Sequence, residues 1–426
     1  MTDNKKSMTS RERVLCALDH RQPDMVPLDF GASPVTGIHA SLVFKLRREL
    51  GLTEKPVKVT EPYQMLGEID DELARALKID VVKTLDYNSM FGYRLMDWKP
   101  WTMFDGTPVL IPGKFNTTPG PDGDIFSYPE GDPASGPSGR MPKGGLYFDA
   151  VIRQNEVDDE TLNAEDNLQE FTRYSDEYLR YTETAVNDLY HNTDKAIVAT
   201  PGGTAIGDIA LVPAIHLKNP TGIRDIEEWY ISLVIRKDYI KEVFDRQSEI
   251  AVENLKLYKE AVGNKVAVIY LCGTDLGTQT GPFCSVDTFK EMYMPYYKRM
   301  TTWIHENTSW KIFKHCCGSI VPLIPALIES GMDILNPVQC SAANMEPSML
   351  KQEFGDKLTF WGGGVDTQKT LPFGTPDDVR EQVRERIGTL GPGGGFVFNT
   401  IHNAQADVPA ENFLAMMEAF DKYRTY

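Results

Sequence analysis

The stretch Lys314-His315-Cys316-Cys317-Gly318 places an imidazole and two thiols at the end of an apolar, strand-like run over residues 310–313. Neutral imidazole and thiolate are the ligands zinc prefers. On an extended backbone, side chains two residues apart point to the same side, so His315 and Cys317 can grip one ion while Cys316 faces away. A catalytic zinc usually takes three protein ligands and keeps a position for substrate, so another part of the chain must supply the third. Two residues qualify, Cys340 and His402, each at the end of a later strand-like run. The residue pattern leaves that choice open. Such a zinc can ionise water, polarise an oxygen or bind a substrate thiol.

The elements that must hold these residues alternate. A capped helix over 8–21 leads to a strand over 25–30, then to helices over 39–50 and 69–77 and a strand over 78–82. From 88 to 149 the alternation breaks into Asp-Gly, Gly-Gly and Gly-Asp-Pro turns among scattered aromatics. That stretch reads as an insertion of short strands and loops, placed to serve as a lid. Beyond it come acidic helices over 158–190, then strands over 195–200, 265–271, 310–313, 333–335, 358–361 and 395–401, with helices between and after them. About eight strands separated by helices imply parallel pairing with right-handed crossovers. No Gly-x-Gly-x-x-Gly opens a helix after the first strand. The expected fold is therefore α/β: a (β/α)8 TIM barrel, one domain over 1–426, with an N-terminal helical extension and the 88–149 insertion.

Barrels place their chemistry at the C-terminal ends of strands. Five such ends carry polar residues: Asp275 with Gln279, His315 with Cys317, Asn336 to Cys340, Asp366 with Gln368, and His402 with Gln405. Asp275 and Asp366 are the candidate catalytic carboxylates, as bases or as orienters of metal-bound histidines. Gln279, Gln368 and Asn336 are the candidate substrate contacts. Each has a plainer reading, since carboxylates ahead of loops often cap the next helix and buried cysteines such as Cys16, Cys272 and Cys284 often act as small apolar groups.

Composition narrows the partners. The net charge of −17 disfavours nucleic acid and anionic membranes, both of which are held by Lys and Arg patches. No apolar run approaches the ~20 residues that span a bilayer. Residues 1–21 are polar and charged, without the apolar core of a secretory signal, and six cysteines are too few for a disulfide scaffold in so long a chain. A cytoplasmic protein is expected.

Several motifs together resemble the uroporphyrinogen decarboxylase superfamily: Lys314-His315-Cys316-Cys317-Gly318, Leu335-Asn336-Pro337-Val338-Gln339, the run over 360–368 ending Val365-Asp366-Thr367-Gln368, the run over 393–403 ending Ile401-His402-Asn403, and Val408-Pro409-Ala410-Glu411-Asn412. Arg11-Glu12-Arg13-Val14 through Pro27 is similar to its opening. The superfamily has a decarboxylase branch and a corrinoid-dependent methyltransferase branch. The decarboxylases carry an Arg-rich segment after the first strand that binds the carboxylates of uroporphyrinogen. The matching residues here, 29–37, contain no arginine. The methyltransferase branch carries His-x-Cys and a later Cys near the last strand, together holding zinc; His315 and Cys317 match the first part, and His402 stands at the later position.

The resemblance thus implies His315, Cys317 and His402 as zinc ligands, with Cys340 the alternative. It implies a zinc-dependent methyltransferase working with cobalamin carried by a partner corrinoid protein. Two histidines and one thiolate make a more electrophilic zinc than one histidine and two thiolates, which suits an ether oxygen or an amine at least as well as a thiol, and the expected methyl donor is an aryl methyl ether. The rivals are a metal-independent decarboxylase of the uroporphyrinogen type, with Asp29 or Asp275 steering the pyrroles, and a non-catalytic corrinoid-protein partner with structural zinc.

Overall fold

A strand such as Val268–Cys272 is buried at every residue, the pattern of a strand covered on both faces by helices. In the computed structural model, which describes residues 7–426, seven strands run parallel, five of them buried throughout: β1 (Val81–Lys83), β2 (Ala196–Ala199), β3 (Val268–Cys272), β4 (Lys311–His315), β5 (Ile334–Asn336), β6 (Thr359–Trp361) and β7 (Phe396–Val397). They are neighbours in chain order, from β1 to β7.

Residues 26–30 take the eighth position. The Asp29 N–H donates to the Phe398 carbonyl at 3.0 Å and the Phe398 N–H to Pro27 at 2.9 Å, while on the other side the Asp80 N–H donates to Leu28 at 2.9 Å. The ring is thereby closed into a (β/α)8 barrel. Asp80 reinforces the seam, because its carboxylate accepts the Leu28 N–H at 2.9 Å and pairs with Arg13 at 2.5 Å and Arg424 at 3.0 Å. The helix Ser10–Leu18, held at its start by a Thr9–Glu12 capping box, lies against the N-terminal ends of β1 and β2 through Ser10 on Asp80 and Arg11 on the Lys195 carbonyl. The opposite, C-terminal end of the strands is left for the site.

Between 57 and 150 the chain builds two small sheets. Val57–Glu61 pairs in parallel with Pro108–Ile111, which pairs antiparallel with Lys99–Thr102. A second sheet is a meander of Thr117–Pro119, Ile125–Ser127, Gly139–Met141 and Asp149–Ala150. The strand Val57–Glu61 escapes the sequence pattern, since its local partner, Leu66–Gly67, is only two residues long and its other partner lies some fifty residues on.

Two helices differ from expectation. Residues 158–175 hold one short 3-10 helix, Ala164–Asn167, capped by Asn163, and no α-helix; ahead of it the Asp158 side chain accepts the Glu160 N–H in a turn. The helix proper is Asp176–Asn192. The expected helix over 287–307 is two, Val286–Met292 and Met294–Asn307, divided where Pro295 removes an N–H donor. No described helix is long and apolar enough to cross a membrane.

Candidate metal centre

β4 ends at His315, whose register partner on β5 is Asn336. The Asn336 amide is oriented by its Nδ2–H donating to the Trp361 carbonyl at 2.7 Å, which turns Oδ1 toward His315. Oδ1 then accepts from His315 Nδ1 at 2.5 Å. The proton is thus held on Nδ1, and the Nε2 lone pair points toward Cys317 Sγ, 3.3 Å away. Cys316 turns the other way, 1% exposed, its sulfur accepting the Leu276 N–H.

His402 follows β7 in a left-handed conformation, φ 73°, which few residues other than glycine adopt. Its ring stands edge-on to that of His315, centroids 5.2 Å apart. The ligand atoms of His315, Cys317 and His402 all lie within 4.8 Å of one another. Zinc–nitrogen and zinc–sulfur bonds of about 2.0–2.3 Å set tetrahedral ligands roughly 3.3–3.8 Å apart, so the trio needs to close by about an ångström. His402 Nδ1 accepts the Asn403 N–H at 2.8 Å, which puts the proton of its neutral ring on Nε2. Ligation through Nε2 displaces that proton or exchanges that hydrogen bond.

Burial sets the protonation. It depresses both imidazoles, His402 to about 3, so both are neutral, as metal ligation requires. Burial and the neighbouring Asp275 hold the Cys317 thiol well above its ordinary value, a charge environment in which a bound cation is favoured. Beneath the group lies Lys314, fully buried, its Nζ donating to the Thr274 and His315 carbonyls. Burial opposes its charge, but the surrounding Cys272, Cys316, Asp275 and Asp208 keep it protonated.

The structure divides the expected site residues. Asp275 stands beside the trio, 3.7 Å from His315 Nε2, its Oδ1 accepting the Cys317 N–H at 2.6 Å. Asn336 corrects one expectation: it is fully buried with both ends of its amide engaged, so it positions His315 and has no group left for substrate. Asp366 corrects a second. It braces its own loop, accepting the Gln368 N–H at 2.9 Å while its backbone N–H donates to Gln382, and it does not line the cavity below. Gln368 and Gln279 are exposed and also lie outside that lining, Gln279 accepting from Gln339 Nε2 at 3.2 Å. Cys340 is not one of the clustered ligands; after a left-handed turn at Val338, φ 57°, it lies against Gly363.

The trio opens through His315 and His402 into a cavity of about 890 Å³. Its walls hold residues that the sequence pattern passed over: Glu61 and Tyr63 from the missed strand and the turn after it, Tyr174 and Tyr178 at the start of Asp176–Asn192, and Asp208 and Tyr270. The two tyrosines on either side of the N-cap Ser175 were a usable signal, since the turn into the helix brings their rings together edge to face. Their ring centroids are 4.8 Å apart. Asp208 accepts the Ala210 and Gly273 N–H groups, and burial raises it to about 6.

Comparison with known proteins bears on the fold and the family rather than on these side chains. The model of the family described as uroporphyrinogen decarboxylase (URO-D) matches residues 214–423. A uroporphyrinogen decarboxylase of Pseudoalteromonas atlantica is 30% identical over 73 residues, 17% of this chain, and the match spans only 20% of that protein's length. A solved structure of a methyltransferase from Methanosarcina mazei superposes over 98% of this chain and 99% of its own, with a TM-score of 0.52 and 15% identity, a likeness of fold.

Proposed function

We propose, on the premise that residues 214–423 belong to the uroporphyrinogen decarboxylase family, that this chain is a zinc-dependent methyltransferase. It takes a methyl group from a small methylated compound, an aryl methyl ether, and passes it to the cob(I)alamin of a separate corrinoid protein. The observation that carries this reading is the convergence of His315, Cys317 and His402 where a large cavity meets the barrel mouth.

His315, Cys317 and His402 would hold the zinc, and a zinc bound there would supply Lewis acidity toward an ether oxygen. The chain's own residues prepare for that. Asn336 keeps the His315 Nε2 lone pair turned toward the site. Asp275 holds the Cys317 backbone and sets the loop that carries the thiol. Tyr174, Tyr178 and Tyr270 exclude water from the space where an aromatic ring would lie. Within a single domain over 1–426, the 88–149 insertion acts as a lid, contributing Met90, Tyr147, Phe148 and Asp149 to the cavity wall.

The family description and the Pseudoalteromonas relative favour a second reading, decarboxylation of a tetrapyrrole acid. The lining weighs against it, because Glu61, Asp149, Asp208 and Asp275 face the cavity and Arg173 is the one arginine or lysine there. Asp29, the other expected pyrrole-steering residue, is fully buried on the Trp361 indole. A purely structural zinc is disfavoured by the opening of the trio onto the cavity.

The test is incubation of the zinc-loaded protein with cob(I)alamin and a panel of methyl ethers, thioethers and methylamines, following the methylcobalamin spectrum. Transfer from an aryl ether, lost on chelation, supports the reading. No transfer from any donor rejects it, and chelator-insensitive release of carbon dioxide from a porphyrinogen establishes the second reading instead.

A further inference from the structure

Glu61 is 6% exposed and lines the cavity. Its oxygens accept the N–H groups of Tyr63 at 3.1 Å and Gln64 at 2.7 Å. Among the described residues no cation pairs with it; Lys83, whose charge reaches it, is paired with Asp86 at 2.8 Å. A carboxylate has about four acceptor sites, so Glu61 keeps capacity for a donor from the cavity. Asp149 and Asp208 share that lining, and Arg173 is its one arginine or lysine. Asp86 and Asp275 also line it, and the rings of Tyr63, Tyr147, Tyr174, Tyr178 and Tyr270 share the wall with them.

We propose that the methyl donor is an uncharged, hydroxyl-bearing aryl ether, and that Glu61, with Asp149 and Asp208, is a specificity wall that accepts the donor's hydroxyls and turns away carboxylated analogues. This deepens the methyltransferase reading and rests on it. Bringing another carboxylate beside the buried Glu61 and Asp208 and the exposed Asp149 costs desolvation and like-charge repulsion, whereas a phenolic hydroxyl gives one of these acceptors a proton. Aromatic rings with carboxylates also suit a quaternary ammonium group. What decides against that class is the metal trio, since a zinc position serves a lone pair that a quaternary nitrogen lacks.

The experiment measures binding rather than turnover. The full chain is titrated calorimetrically with 2-methoxyphenol, 2-methoxybenzoate and (2-methoxyphenyl)trimethylammonium. The phenol is expected to bind at least about tenfold tighter than the benzoate, and in Glu61→Gln that gap is expected to fall to about threefold or less. Asp149→Asn, at an exposed position, narrows the gap in the same direction and serves if Glu61→Gln does not fold. A benzoate that binds as tightly as the phenol, or an ammonium ligand that binds tightest, overturns the inference. Selective binding of the phenol without methyl transfer from any donor leaves the wall standing and removes the methyltransferase reading; methyl transfer with equal kcat/KM from phenol and benzoate does the reverse.

Discussion

The Nδ1 of His315 and the Oδ1 of Asn336 lie 2.5 Å apart, at the ends of two neighbouring parallel strands where the two residues are register partners. One hydrogen bond therefore sets both tautomer and ring orientation in the metal group. Partners of this kind typically contribute about 10- to 100-fold to metal affinity. Asn336→Ala is expected to weaken zinc by that range while the chain still folds, measured by competition with a chromophoric chelator. Unchanged affinity would show that His315 needs no such orientation.

The metal group and Cys340 can be separated directly. His402→Ala and Cys317→Ala are each expected to lose zinc on dialysis, because two ligands rarely hold it, while Cys340→Ala keeps it. The check is metal content by elemental analysis. Zinc retained in His402→Ala but lost in Cys340→Ala would move the third ligand to β5.

A pH response follows from His39, which caps the helix Ala40–Glu49 and anchors the insertion. Its Nδ1 accepts the Ser41 N–H at 3.2 Å and its Nε2–H donates to the Leu146 carbonyl at 2.8 Å, a pairing only the neutral ring satisfies. Burial lowers its pKa below the ordinary histidine value. The unfolded ring then binds the proton first, so this stability is present above about pH 6.5 and is lost as pH falls below it. The melting temperature of the metal-free chain is expected to drop more between pH 7 and 5 than that of His39→Asn, which keeps a cap but cannot titrate. Parallel curves would exclude His39 as a source.

The barrel seam is a place where stability concentrates. Asp80, with 2% side-chain exposure, serves two arginines and the Leu28 N–H at once. Removing one partner of such a buried cluster leaves uncompensated charge and typically costs about 3–5 kcal/mol. Asp80→Ala is expected to lower the urea unfolding free energy by that amount. A loss under about 1 kcal/mol would mean the seam is held by packing alone.

How much of this was legible before the fold is visible in particular residues. The alternation of short apolar runs with helical periods carried the barrel, because parallel strands buried on both faces must read that way. The pair His315 and Cys317 was legible because a two-residue spacing on a strand is a local geometric fact. Whether Cys340 or His402 joins them was not local. It depends on which strand end turns inward, and a left-handed turn at His402 against a turn at Val338 that carries Cys340 to Gly363 decides it. Asn336 and Asp366 looked alike in sequence, polar residues at strand ends, yet one faces His315 across a register pair and the other caps its own loop. Glu61 and Tyr63 gave no signal at all, since the strand that leads to them is set by pairing with Pro108–Ile111 as well as with the two-residue Leu66–Gly67, and only that fold brings them to the cavity. The sequence by itself determined the barrel and the pairing of His315 with Cys317 on one side of a strand, where periodicity and spacing act within a few residues. Only the tertiary structure decided that His402 rather than Cys340 joins the cluster, that Asn336 faces His315 and that carboxylates line the cavity wall, because those follow from which side chains long-range pairing brings face to face.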